Sequence, residues 1–123
     1  MKIYRFDEDV GRSIMAHGSQ NVVWSGVVKV EAGASVSCIH IGTGGILGYH
    51  PAAEQQLFMV VDGEGWVSGE NKRPVRIAAG QAAYWEKGEK HEAGSDSGML
   101  VIVIEAEQLD PQAYMPMAQE WLE

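Results

Sequence analysis

Short apolar runs separated by glycine-rich turns dominate the pattern of this chain. The runs occupy residues 22–31, 35–41, 56–61, 82–85 and 99–105, and polar turn residues stand between them. Each run is shorter than a typical core helix, and turn signals return every eight to twelve residues or so. This spacing predicts an all-β fold, either a sandwich or a closed barrel.

The run at residues 56–61 is apolar at both alternating sets of positions, so both faces of this strand are expected to be covered. Residues two apart in a strand share a face. An inward-pointing Gln56 therefore places Phe58 and Val60 inside the barrel as well. The outward set is then Leu57, Met59 and Val61.

Glycines suggest how the strands are joined. Gly26 permits a bend, so residues 22–31 form either a strand pair or one long bent strand. Asp62-Gly63 predicts a tight hairpin into a strand at residues 66–68. The glycine-rich loop at residues 42–45 is interpreted as a turn, because no helical pattern follows it as a dinucleotide site requires. The last run, at residues 99–105, is expected to be buried on both faces.

The two ends of the chain differ from the middle. Residues 2–6 predict an edge strand, and residues 11–20 an irregular arm that carries an exposed His17. Asp110-Pro111 predicts the start of a C-terminal helix, with a capping carboxylate before a proline. Apolar residues recur at helical spacing as far as Trp121 and Leu122, but Pro116 interrupts them. We expect a short or broken helix packed on the barrel or on a partner chain.

Length, charge and cysteine content narrow the class of protein. The 123 residues are expected to form one domain, and the net charge is −8 with no basic cluster longer than Lys72-Arg73. Nucleic acids and anionic membranes are therefore not expected as partners. Cys38 is the single cysteine, so no intrachain disulfide is possible. With no signal peptide and no apolar run of membrane-spanning length, the cytoplasm is the expected location.

Two stretches, residues 44–63 and 80–95, share a design of glycines and histidines at fixed spacing. They resemble the paired motifs of the cupin superfamily, whose fold is a small antiparallel jelly-roll barrel. The first family pattern is Gly-(x)5-His-x-His-(x)3-Glu-(x)6-Gly, and Gly44, His50 and Gly63 match it. The second is Gly-(x)5-Pro-x-Gly-(x)2-His-(x)3-Asn, and Gly80, Gly88 and His91 match it. The resemblance implies a cupin barrel over about residues 35–106.

The departures from these patterns fall mainly on metal-binding positions. Ala52 stands at the second His and Gln56 at the Glu of the first motif, while Glu86 and Ser95 replace the Pro and Asn of the second. The resemblance implies a divalent metal site (Zn, Fe, Mn, Ni or Cu) made by His50, Gln56 and His91. Gln56 offers only an amide oxygen, a weaker ligand than a carboxylate. Two further residues, His40 and Glu54, are candidates to replace the missing ligands.

A metal-free interpretation stands beside this one. His50 next to Pro51 is then a turn residue at the barrel rim, His91 bonds a backbone carbonyl, and Gln56 bridges the two imidazoles. The expected ligand pocket is formed by His40, Gln56, Phe58 and Trp85.

Two functions follow. The first is a binding module whose barrel cavity holds a small molecule. This function does not require a complete metal centre. The alternative is a metal-dependent enzyme, an isomerase, oxygenase or lyase acting on a small organic metabolite. The outward apolar residues of 56–61, the doubly apolar last strand and the Trp121-Leu122 tail further predict a homodimer, because they expose too much apolar surface for a lone small barrel.

Overall fold

The protein is an antiparallel β-structure of eight strands, seen in a computed structural model that describes residues 4–5, 8–30, 33–113 and 115–117. The strands are β1 (Arg12–Ser13), β2 (Gln20–Val30), β3 (Ala34–Pro51), β4 (Gln55–Ser68), β5 (Val75–Ala78), β6 (Ala82–Trp85), β7 (Lys90–Ser95) and β8 (Met99–Ala106). Short 3-10 turns lie at Glu8–Val10, Ala16–Gly18 and Pro111–Ala113. The jelly-roll barrel expected from the sequence is confirmed.

Two long strands, β3 and β4, belong to both layers of the barrel. The first half of β3 pairs with β2 and β8, and its second half pairs with β7. The first half of β4 pairs with β8 and β6, and its second half with β5 and β7. Each long strand thus passes from one sheet to the other. This closes the barrel and hides strand edges.

Bends within strands explain the glycine cluster at residues 42–45 and the single Gly26. Gly44, in the middle of β3, has a φ of 69°, and its N–H donates to the Asp96 carbonyl. Residues 42–45 are therefore a bend inside one strand and not a separate loop, and no helix follows them. In β2, the register shifts between Gly26 and Val28, which confirms one long bent strand.

The hairpin predicted at Asp62-Gly63 is wrong. Strand β4 runs without interruption from Gln55 to Ser68, and a register shift between Val60 and Asp62 marks where it leaves β8. Gly63 has a φ of 83°, and a Cβ atom there would lie 2.3 Å from the Gly98 carbonyl oxygen. The glycine is needed for this close crossing of two backbones, a role that looks the same as a hairpin turn in the sequence.

The core lies between the two layers, and strand alternation selects its members. In β8, Met99, Val101 and Val103 are buried in the core. The alternate residues, Leu100, Ile102 and Ile104, are only half-buried on the outer face. The last strand is therefore fully buried on one face, and the expectation that both faces are buried is wrong for the single chain.

The predicted C-terminal helix is also wrong within the described residues. Only the 3-10 turn Pro111–Ala113 forms, and residues 115–117 have no regular structure. Pro116 cannot donate a helical hydrogen bond, which agrees with this early end. Trp121 and Leu122 lie outside the described residues. Of the edge strand predicted at residues 2–6, only Tyr4 and Arg5 are described, and they are not in a strand. Among the helices described, none has the length and hydropathy needed to cross a membrane.

Candidate functional site

A cavity of about 260 Å³ lies inside the barrel, between the two layers. Its volume equals that of roughly nine water molecules at their share of liquid water. Most of its wall is apolar, with a few polar side chains that converge on it. Its polar lining residues are His17, Ser37, His50, Gln56, His91 and Glu105, and Phe58 belongs to the apolar part of the wall. Such a mixture is typical of small-molecule sites.

His50 and His91 come from the two motifs and meet in this cavity. They are register partners on β3 and β7, and their ring centroids are 4.5 Å apart with planes tilted by 54°. The His50 Nδ1 lies 2.5 Å from the Gly48 carbonyl oxygen, and the His91 Nδ1 lies 3.1 Å from that of Glu89. A carbonyl only accepts, so each Nδ1–H donates. In the neutral form of each ring, Nε2 therefore carries the lone pair.

The neutral form is strongly favoured at His91. Only 4% of this residue is exposed, and its ring stacks on Trp85 with centroids 4.2 Å apart. Burial lowers the pKa of His91 from 6.5 to about 4, and the charge of His50 adds to the decrease, whereas the bond to the Glu89 carbonyl opposes it. His91 therefore offers a hydrogen-bond acceptor to the cavity at neutral pH.

Gln56 supplies the third polar group expected from the motifs. It is 8% exposed and lines the cavity with Phe58, two residues along the same face of β4. Within the described residues, the Gln56 amide makes no hydrogen bond, so it does not bridge His50 and His91. Among the described residues, the buried side-chain polar atoms without a partner are Glu54 Oε2 and Ser68 Oγ, so the unbonded amide of Gln56 is reached by water from the cavity.

Glu105 and His17 also line the cavity, and neither was a candidate from the sequence. Glu105 is the register partner of Gln56 on β8, so the two side chains lie side by side. Glu105 stands at the end of an apolar run, and a charged residue is common at the boundary of a strand. Its parity with Val103 and Val101 was the signal that could have found it.

His17 was predicted to be exposed, and it is, but its ring stacks on His50 with centroids 4.7 Å apart and planes 12° from parallel. The arm is held there by Gly48, whose N–H donates to the Ser19 Oγ. A Cβ atom on Gly48 would lie 1.6 Å from the His17 carbonyl oxygen. Only glycine at position 48 leaves room for the backbone of His17 at this distance. The two residues are 31 positions apart in the sequence, so no local sequence pattern predicts their contact.

Two residues expected in the pocket lie elsewhere. His40 is on the opposite face of β3 from Ser37 and Ile39, which line the cavity. Its Nε2 is 3.7 Å from the Cys38 Sγ and 3.4 Å from the Ser25 Oγ. Trp85 does not line the cavity either, but is buried behind His91 as its stacking partner.

Glu54 does not line the cavity. Its Oε2 is buried and has no hydrogen-bond partner in the part of the chain that the structure describes. Neither His40 nor Glu54 is therefore placed to replace a missing motif ligand.

The residues present do not fit a complete metal centre. His50 and His91 offer two Nε2 atoms, but Ala52 has no donor and Gln56 has only an amide. No group of three His, Cys, Asp or Glu side chains suited to an ion exists among the described residues. His17 does not supply a third metal ligand. The lone pairs of an imidazole lie in the plane of its ring, and the rings of His17 and His50 are stacked in nearly parallel planes, so their lone pairs do not converge on one ion.

Solved structures with this architecture include proteins of several kinds. A predicted oxalate decarboxylase from Thermotoga maritima superposes with a TM-score of 0.70 at 18% identity, covering 84% of this chain and 98% of that one. The polyketide cyclase RemF from Streptomyces resistomycificus gives 0.70 at 12% identity, covering 87% and 81%. KdgF from Halomonas sp. gives 0.64 at 20% identity, covering 78% and 91%. At these identities the likeness shows the fold alone.

Among proteins of curated function, no sequence matches this chain. The family comparison is positive: the model of the cupin domain matches residues 26–105, about two thirds of the chain. That match includes both glycine–histidine motifs and most of the strands that enclose the cavity, whereas lining residues such as His17 and Trp24 precede it. This chain belongs to the cupin superfamily.

Proposed function

We propose that this cupin binds a small organic molecule in its barrel cavity without needing a metal ion. The observation that carries the proposal is the amide of Gln56, which has no hydrogen-bond partner among the described residues and lines a cavity that also receives two imidazoles. Each imidazole is oriented through its Nδ1, which leaves Nε2 toward a ligand. A ligand that hydrogen-bonds to Gln56 and to these nitrogens would replace the water that reaches them in the unliganded cavity.

The apolar wall supplies the rest of the binding free energy. Phe58 is 1% exposed and packs edge-on against Trp85, with ring centroids 5.6 Å apart, so this side of the cavity is closely packed. A preformed apolar surface with a few fixed polar groups binds without large ordering costs.

A thermal-shift screen of small metabolites in the presence of a chelator tests this proposal. We expect at least one compound to raise the melting temperature by several degrees, and the shift to be unchanged by the chelator. Gln56→Leu preserves side-chain volume but removes the amide, and is expected to reduce the shift while the unliganded variant remains folded. If no compound in the screen stabilises the parent protein, the proposal is contradicted.

One observation favours the alternative, a metal-dependent isomerase, oxygenase or lyase. Histidines that bind metals commonly donate their other ring N–H to a carbonyl, as His50 and His91 do. In the same screen, stabilisation that needs a divalent ion and disappears with chelator would favour this alternative. Stoichiometric metal in protein purified from metal-replete cells, lost in His50→Ala, would support it further.

We also propose that the chain is a homodimer, formed through the outer face of the layer that contains β8. Leu100, Ile102 and Ile104 lie half-buried on this face beside Met59 of β4. Ile102→Lys is expected to give monomers with an unchanged circular dichroism spectrum, because a charge at the centre of an apolar contact opposes association. Light scattering checks this, and a monomeric parent at micromolar concentration would contradict it.

We further propose that the protein works in the reducing cytoplasm. Its single cysteine, Cys38, is buried and carries a free thiol, which suits a reducing compartment.

A further inference from the structure

Among the polar side chains that line the cavity, those of Glu105, Gln56, His50 and His91 offer hydrogen-bond acceptors, and Ser37 offers a hydroxyl that donates or accepts. Within the part of the chain that the structure describes, no Lys or Arg lines the cavity. The acidic side chain among them is Glu105, and Gln56, its cross-strand neighbour, has a free amide. His50 and His91 add acceptor nitrogens from the other layer of the barrel.

We infer that the cavity selects a single-ring-sized ligand with hydrogen-bond donors, an uncharged hydroxyl compound or an amine, and rejects carboxylates and phosphates. This inference rests on the proposed small-molecule function and adds the chemical class of the ligand. The volume of about 260 Å³ lies just below the usual range for drug-sized ligands, which sets the size.

The pair of Gln56 and Glu105 is the recognition element. Inside the described residues, neither side chain makes a hydrogen bond or an ion pair with the protein, although Gln56 is 92% buried. The Glu105 carboxylate only accepts, while the Gln56 amide accepts and donates. A ligand hydroxyl or ammonium placed between them donates to Glu105 and satisfies Gln56 at the same time.

The opposite wall has the same preference. The Nδ1–H groups of His50 and His91 are committed to the Gly48 and Glu89 carbonyls, so their Nε2 lone pairs accept from the ligand.

An anionic group in this cavity would lose its hydration without gaining an opposite charge, and it would lie near the Glu105 carboxylate. Discrimination against anions therefore follows from two features of the described lining residues together, the absence of Lys and Arg and the presence of one acid.

Four probes of matched shape test the inference: benzyl alcohol, benzylamine, benzoate and toluene, titrated at neutral pH with chelator and followed by amide chemical shifts. We expect benzyl alcohol and benzylamine to bind at least fivefold more tightly than toluene, and benzoate at least tenfold more weakly than benzyl alcohol. In Glu105→Gln, the affinity for benzoate should rise and that for benzylamine should fall, each at least fivefold. The matched control is Glu107→Gln, which removes an exposed acid from the same end of β8 and should leave all four affinities unchanged.

The outcomes separate this inference from the function on which it rests. Benzoate binding as tightly as benzyl alcohol, or unchanged affinities for benzoate and benzylamine in Glu105→Gln, would overturn the inference while small-molecule binding stands. The ratio of benzylamine to benzyl alcohol affinity in the parent then distinguishes an amine site from a hydroxyl site. Absence of binding by all four probes would contradict both the inference and the proposed function.

Discussion

Gln56→Glu is expected to create a divalent-metal site and to raise the affinity for Zn²⁺ or Ni²⁺ on the order of 100-fold over the parent. Gln56 lines the same cavity as His50 and His91, whose Nε2 atoms make no hydrogen bond to any of the described residues. Replacing its amide nitrogen by oxygen gives two imidazoles and one carboxylate, the facial set that binds many divalent ions. The volume of the side chain does not change, so the barrel does not need to repack.

Isothermal titration with the parent, the variant and two controls measures this gain. Gln55→Glu adds the same charge to β4 on the other side of the strand and should leave metal affinity at the level of the parent. Gln56→Glu combined with His91→Ala should lose the gain, because one imidazole is removed. If the parent protein already binds the metal ion as tightly as Gln56→Glu does, the native residues form a metal site. That result would contradict the proposal of a cavity that works without metal.

Acidification is expected to destabilise the protein through His91 by roughly 2–3 kcal/mol between pH 7 and pH 4. The pKa of His91 is lowered from 6.5 to about 4, mainly by burial, so the unfolded chain binds a proton in this range and the folded chain does not. The contribution of His91 to the free energy of unfolding is complete above pH 6.5. It decreases as the pH falls from about 6.5 to about 4 and changes no further below that.

Urea unfolding at a series of pH values, in the presence of chelator, compares the parent with His91→Gln. The glutamine cannot titrate, so the variant should lack the His91 share of the loss, and the difference in unfolding free energy between the two proteins should shrink as the pH falls. The carboxylates of both proteins titrate alike and cancel in this difference. A difference that stays constant from pH 7 to pH 4 would show that His91 is not buried in its neutral form.

The strand pattern and the motif spacing predicted the jelly-roll barrel and the meeting of His50 with His91. These features depend on local alternation and on turns, which the sequence displays directly. The hairpin at Asp62-Gly63 was predicted wrongly because Gly63 permits a backbone crossing with Gly98, which is distant in sequence. The same glycine pattern serves a turn or a crossing, and only the pairing of β4 distinguishes them.

The wall of the cavity shows the same limit. The face of β3 that points inward carries Ser37 and Ile39, and His40 points outward, a choice that periodicity alone leaves open. His17 reaches His50 only because Gly48 admits the arm, a long-range contact with no periodic signal. Glu105 shares its face with core residues, so its parity indicated the cavity, but its position at the end of a strand concealed this role.

The NMR signals of the imidazole rings test most directly whether His50, His91 and Gln56 form one ligand cavity that works without metal. Ring ¹H–¹⁵N spectra of the parent in chelator, recorded during a titration with benzyl alcohol, distinguish the four histidines. We predict shifts at the Nε2 atoms of His50 and His91 and none at His40, which lies on the outer face of β3. Shifts that are absent, that occur equally at His40, or that need an added divalent ion would contradict the account.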